Sequence, residues 1–264
     1  MSNRTLCSFE RTPWSVQTVM SLGRRCRKRL LQDIEVVVVR TMLALLTRLG
    51  PVQASNFMGG LFRRVGPLLP VSRTADANLA AALPEIDVRS RRQVVMDMWE
   101  SLGRTAGEFP HLYKLPKDSS SGPGWEVIND HILLDQVARG GAAIFVSGRI
   151  DNWEMMPPAV ATYGLPFASV YRPASNRRVD QVITGLRRRA MRHDVPMFAK
   201  GAAGARATLT HLRHGGLLGV LADQKLNDGV ELRLFGLPAM TAPAVAAMAL
   251  RYGCLLYTSD AADE

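Results

Sequence analysis

Two patterns along the chain predict an α/β fold, with a largely parallel central sheet flanked by helices and an all-helical amino-terminal portion. From about residue 129 onward, short apolar, β-rich runs alternate with amphipathic stretches of helical spacing, the signature of repeated strand–helix units. Before residue 110 the apolar residues recur only at helical spacing, punctuated by Gly-Pro or Pro. With 264 residues, 47% of them hydrophobic, the chain can bury one substantial core, so one main domain is the economical reading.

The elements follow in order. Helical spacing over 36–49 ends at Gly50-Pro51, which stops a helix, and resumes over 55–69. A third helix over 74–83 ends at Pro84. Asp87 can cap a long amphipathic helix through Val94, Val95, Met98 and Leu102 toward Phe109, stopped by Pro110. The Ser-, Gly- and Pro-rich segment 116–124 reads as a surface loop. Then come a helix over 129–138, a strand over 142–147, a helix over 157–163 and a strand over 167–171. A helix over 179–192, a short strand over 195–198 and a helix over 202–214 follow. Strands over 217–222 and 231–235 and a helix over 242–252 complete the pattern.

The strand over 142–147 delivers the most informative loop, Ser147-Gly148-Arg149-Ile150-Asp151-Asn152-Trp153-Glu154. Loops at the carboxyl ends of sheet strands are where α/β folds place their chemistry, because the scaffold is rigid and the loop free to vary. A helix starting at Asn152 would carry Pro157 and Pro158 past its first turn, where proline costs about 3 kcal/mol or more, so a kink or a delayed start is expected.

Ser-Gly-x-x-x-Asn-Trp-Glu after such a strand resembles the bacterial lipid A biosynthesis acyltransferase family, the late lauroyl and myristoyl transferases, whose motif is a His, four residues, then Asp or Glu. Further blocks match in the same order: Asn78-Leu79 with Ala82-Leu83-Pro84; Trp99 through Arg104 with Glu108; Val170-Tyr171-Arg172-Pro173 with Asn176; Leu221-Ala222-Asp223-Gln224; and Phe235-Gly236-Leu237-Pro238-Ala239 with Thr241. The resemblance implies a glycerolphosphate-acyltransferase-like fold and transfer of an acyl chain from an acyl-carrier-protein thioester to a hydroxyl of a lipid A precursor, in lipopolysaccharide biosynthesis. It implies no metal and no cofactor.

In this chain the motif's acid is Glu154 and the His position holds Arg149. Histidine suits deprotonation of a hydroxyl because its pKa lies near about 6.5, with the carboxylate fixing its tautomer and steadying its charged form. Arg149 cannot serve, since a guanidinium of pKa above about 12 has no lone pair to accept a proton, and an Arg149–Glu154 pair would be an inert salt bridge. Three readings are open: a real substitution leaving an inactive, lipid-binding homologue; a sequence error, since one base change turns a His codon into Arg; or another base, from Asp151, His193, His211 and His214. Asp151 also reads as a turn residue, and His211 and His214 as a polar helix end favoured by the dipole. The resemblance makes Arg172 the candidate for gripping phosphate or supporting an oxyanion, with a strand-end salt bridge as the plain alternative. Asp223 and Gln224 are candidates for orienting the substrate or bracing the loop. Lys200 and Arg206 add positive charge or simply start a helix, and Trp153 reads as core packing.

Lys and Arg outnumber Asp and Glu 33 to 23. An acidic acyl carrier protein, an anionic phosphoglycolipid and an anionic membrane surface all fit that balance. Nucleic acid fits it too, yet no recognition helix, zinc finger or stacking-aromatic motif accompanies it, and no nucleic-acid partner is expected. The three cysteines form no Cys-x-x-Cys pair, against a disulfide framework or zinc site. No run reaches the roughly 18 to 20 apolar residues that span a bilayer, and no secretory signal is apparent. The cluster Arg24-Arg25-Cys26-Arg27-Lys28-Arg29 before an amphipathic region instead suits peripheral or monotopic attachment to the cytoplasmic face of the bacterial inner membrane, with a solvated core helix as the equal alternative.

Three divisions are expected: a basic, poorly ordered leader over 1–34, an acyltransferase domain over 35–253, and a tail over 254–264 that resembles the translation of a sequencing adapter and is set aside from fold reasoning, so that the native terminus lies elsewhere.

Overall fold

The computed structural model describes residues 16–119 and 122–258, with side chains of the first helix described at position 27 and from 29 onward. The helical portion comprises α1 (Val16–Arg48), α2 (Pro51–Val65), α3 (Val71–Ala82) and α4 (Val88–Glu108). Gly50 and Pro51 end one helix and open the next, proline sitting where its missing N–H is not needed. Asp87 caps α4, accepting from the backbone N–H of Arg89 at 2.7 Å and of Ser90 at 3.0 Å. Helices α2 and α4 pack almost backbone to backbone. A Cβ on Gly103 would lie 2.4 Å from the Met58 carbonyl oxygen, and one on Gly107 2.4 Å from that of Ala54.

The first helix is longer than its apolar spacing indicated, and the described part of the expected leader, from Val16 on, is helical. The boundary at 34/35 falls inside α1, where the helix is tied to the rest of the chain. Asn176 Nδ2 donates to the Gln32 carbonyl at 2.8 Å and to Glu35 Oε2 at 3.0 Å, and Arg178 pairs with Asp33. Residues 1–15 lie outside the described residues.

The alternating portion runs α5 (His131–Arg139), β1 (Ala143–Ser147), α6 (Met156–Ala161), β2 (Ala168–Tyr171), α7 (Arg177–Met191), β3 (Met197–Ala199), α8 (Ala202–Arg213), β4 (Leu217–Leu221), β5 (Lys225–Leu234), β6 (Leu237–Thr241), α9 (Ala244–Tyr252) and β7 (Leu255–Thr258). A five-stranded sheet in the order β3-β2-β4-β1-β7 is parallel at every pairing. Successive β1 residues bury on opposite faces: Ala143 and Phe145 pack with Leu133, Val160 and Phe167, whereas Ile144 packs with Ala168, Leu212 and Leu218. The mostly parallel α/β sheet with a helical amino-terminal portion is therefore the fold of the chain.

Two local outcomes bear on the site. Pro157 and Pro158 are accommodated as expected: a 3₁₀ turn, Trp153–Met155, precedes α6, so both prolines fall in its first turn. The segment after β4 differs from its reading as one strand, 231–235. It forms a two-stranded antiparallel ribbon outside the main sheet, joined by a tight turn in which Phe235 (φ 50°) and Gly236 (φ 73°) are left-handed. Pro238 cannot donate to a ladder, and such a ribbon tolerates it. At the chain's other end, Leu255–Thr258, in the segment set aside as a tail, pairs with β1, and Tyr257 stacks on Phe145 with 5.3 Å between ring centroids. Strand pairing asks only for backbone and apolar side chains, so it does not bear on that segment's origin.

Candidate functional site

The site is set by strand register. Strands β1 and β4 pair at Ser147↔Leu221, and the Ala222 N–H extends the ladder to the Ser147 carbonyl at 2.9 Å. Two residues beyond that pair on each strand stand Arg149 and Asp223. The Arg149 backbone N–H donates to Asp223 Oδ2 at 2.9 Å and its Nη1 to Oδ1 at 2.8 Å. On the neighbouring strands, Tyr171↔Ala199 is the last pair and the Lys200 N–H donates to the Tyr171 carbonyl at 2.8 Å, which makes Arg172 and Lys200 neighbours past the same edge.

The Arg149–Glu154 ion pair considered from sequence is not formed. Arg187, on α7, takes Glu154 in a bidentate grip, Nε to Oε2 at 2.8 Å and Nη2 to Oε1 at 2.5 Å, while Arg149 is held across the sheet by Asp223. Burial works against the charge on Arg187, but the bonds and attraction from Glu154 outweigh it and hold the guanidinium above its ordinary pKa. Sequence reading passed over Arg187, which sits in an Arg187-Arg188-Arg189 run that reads as a solvated helix face.

The loop between Arg149 and Glu154 is braced from α4. Asp151 lies in the left-handed region at φ 42°, its carboxylate accepts from Ser101 Oγ at 2.8 Å, and its carbonyl accepts from Thr105 Oγ1 at 3.1 Å. Asn152 Nδ2 donates to Glu108 Oε2 at 2.6 Å, and the other oxygen of that buried carboxylate accepts from Ser55 Oγ at 2.7 Å. The upstream block Ser101 to Glu108 thus acts on the loop. Asp151 is a turn residue here. The three histidines considered as bases are engaged at helix ends, His193 Nδ1 with Met191 O, His211 Nε2 with Leu217 O and His214 Nδ1 with Thr210 O, at 2.8–3.0 Å.

A cavity of ≈ 790 Å³ opens beside these residues. Arg149, Glu154, Arg172 and Gln224 line it, with Asp223 behind Arg149; Lys200 lines it too, whereas Arg206, Asp151 and the three histidines do not. Trp153, read as core packing, is part of its wall. The walls are apolar, among them Pro157, Phe167, Met191, Leu209, Val245 and Met248. The ring of Phe167 reaches over β4 because position 219 is glycine, where a Cβ would stand 2.1 Å from it. Around the apolar part stand Arg149, Arg172, Arg187, Arg188, Lys200, Lys225 and Arg251, and Glu154 supplies the lining's carboxylate. Such a site suits an amphiphile with a hydrocarbon body and an anionic end.

The family model described as bacterial lipid A biosynthesis acyltransferase matches residues 24–259. The chain belongs to this family. No curated protein matches the chain in sequence. Membership in the lipid A acyltransferases covers the helical portion, the sheet and the braced loop together, and acyl transfer in lipid A biosynthesis is the work of the family. Among the described residues of this family member, no helix is long and apolar enough to cross a membrane.

Proposed function

We propose that this acyltransferase takes its acyl chain from an acyl-carrier-protein thioester, delivers it to a hydroxyl of an anionic phosphoglycolipid precursor of lipid A, and is impaired in that step by Arg149. The observation that carries the reading is the cavity: apolar walls and a cationic rim gathered around Glu154 at the carboxyl edge of the sheet. Burying an acyl chain contributes about 0.8 kcal/mol per methylene, and the adjacent Arg172 and Lys200 offer charge-assisted bonds to phosphate. Arg172 is also placed to support the oxyanion that forms as the hydroxyl oxygen attacks the thioester carbonyl. Gln224, on the lining, orients the substrate.

In the full reaction the hydroxyl proton passes to a base at position 149, the new C–O bond forms, the C–S bond breaks, and the thiol leaves with a proton. Arg149 cannot take that proton. A second reading, a lipid-binding homologue without turnover, is favoured by the two bonds that fasten Arg149 to Asp223. Acyl transfer from a carrier-protein thioester to a lipid A precursor, compared between the chain and its Arg149→His variant, tests both. The His variant is expected to be faster by about 10² to 10⁴, as for a positioned general base, and Glu154→Ala in that background to lose much of the gain. Equal rates would remove the family mechanism from this chain.

The same reading places the protein peripherally on the cytoplasmic face of the inner membrane. Its support is α1, where Leu30, Leu31, Ile34, Val37 and Val38 are exposed among the exposed Arg27, Arg29 and Arg40. Flotation with anionic vesicles that is unchanged by added salt counts against it.

A further inference from the structure

We propose that the β5–β6 ribbon is an arm that lays one face on an anionic lipid layer and so holds the mouth of the cavity against it. The inference deepens the function proposed above and rests on it for the ligand of the cavity. Side chains alternate across a strand, so Val230, Leu232 and Leu234 share one face with their cross-strand partners Thr241, Ala239 and Leu237, while Glu231 and Arg233 occupy the other with Met240 and Pro238. The apolar face is bare: Val230, Leu232, Leu234 and Leu237 are 43–62% exposed, and Phe235 at the turn 63%. A two-stranded ribbon is marginal in water without a packed face, so this one gains from a surface to lie on.

Position and charge identify that surface. The root of the ribbon is continuous with the cavity, since Gln224, Lys225 and Leu226 on one side and Ala242 on the other line it. Whatever the ribbon rests on is therefore brought to the cationic rim at Arg172, Lys200 and Arg251. An anionic lipid layer offers hydrocarbon to the ribbon and phosphate to the rim. A second copy carries the same net charge of +10 and is repelled. An acidic protein needs cations on the ribbon, where Lys225 and Arg233 are offset by Asp228 and Glu231.

The full chain carrying Phe235→Trp, mixed with vesicles of phosphatidylglycerol and phosphatidylethanolamine, is the test, with the signal of the four native tryptophans subtracted. The added indole is expected to shift to the blue and to be quenched when the acyl chains are brominated. Leu232→Ser with Leu234→Ser should weaken partitioning into the vesicles by at least about tenfold, and Glu231→Gln with Arg233→Gln by less than about twofold. Vesicle-bound protein whose added indole is not quenched overturns the proposal. So does a blue shift that grows with protein concentration in the absence of lipid, or that appears on adding an acidic carrier protein alone. Insertion without acyl transfer by the Arg149→His form overturns the proposed function and leaves the arm standing; transfer without insertion does the reverse.

Discussion

Arg187 donates to both carboxylate oxygens of Glu154, although the two residues sit on different elements, one on α7 and one on the turn before α6. The grip closes the loop's downstream end as Asp223 closes its upstream end at Arg149. Each oxygen of Glu154 still has a lone pair for a second donor, so the carboxylate can hold Arg187 and orient a histidine at 149 together.

Removing Arg187 strands a carboxylate whose side chain is only 12% exposed. Arg187→Ala is expected to lower unfolding stability by about 2–4 kcal/mol, below the full buried-pair value because Arg187 itself keeps some contact with solvent. Adding Glu154→Gln to that variant should recover part of the loss in urea titrations. A double variant no more stable than the single one would mean that the pair holds no uncompensated charge in check.

Helix α4 tolerates no side chain at Gly103 and Gly107, where it comes closest to the α2 backbone. Gly107→Ala places a Cβ against the Ala54 carbonyl and should cost about 1–3 kcal/mol. Gly185→Ala, on the exposed face of α7 with nothing within 4 Å of the new Cβ, should instead gain up to about 1 kcal/mol. Thermal melts of the two variants should move in opposite directions, and a shared direction would refute the close-packing argument.

The cap of α4 depends on pH. Bonds from the Ser90 backbone and hydroxyl, then the Arg89 backbone, hold the Asp87 carboxyl below its ordinary pKa. A lowered folded-state value means that the carboxylate's contribution is complete above the ordinary aspartate range and disappears as the pH falls through the folded value. Asp87→Ala should therefore lower Tm at pH 7, with the difference from the parent shrinking below about pH 4. A difference that is constant or grows in acid would contradict the assignment.

Arg172 and Lys200 stand side by side past the β2–β3 edge and should act on one phosphate. Replacing either with alanine should weaken binding of a phosphorylated lipid acceptor by about three- to tenfold, a modest factor because both are exposed. The double replacement should lose less than the product of the two. Equal loss for a dephosphorylated acceptor would show that the pair does not read phosphate.

What could be read from the chain depended on how local the cause was. The strand carrying Arg149, the cap at Asp87 and the delayed start of α6 all follow from neighbours in sequence. The paired strand β6 was missed because its turn, Phe235-Gly236, lacks the Asn-Gly or Asp-Gly signal that marks a tight hairpin. The partners of Arg149 and Glu154 were missed for another reason. Asp223 is brought to Arg149 by a parallel register spanning 74 positions, and Arg187 to Glu154 by the docking of α7 on the 3₁₀ turn. Neither leaves a periodic trace in the sequence.

The parallel register also sets an order of events during synthesis. Strand β1 cannot form its ladder with β4 until Leu217–Leu221 has been made, about 70 residues after Ser147. At typical elongation rates of about 5–20 residues per second, the apolar Ala143–Ser147 segment waits roughly 4–14 s on the ribosome without that neighbour. Helices α2, α3 and α4, which pack mainly on one another, can do so in that interval. The braces from Ser101, Thr105 and Glu108 are then already in place when the loop they hold is drawn to the sheet edge.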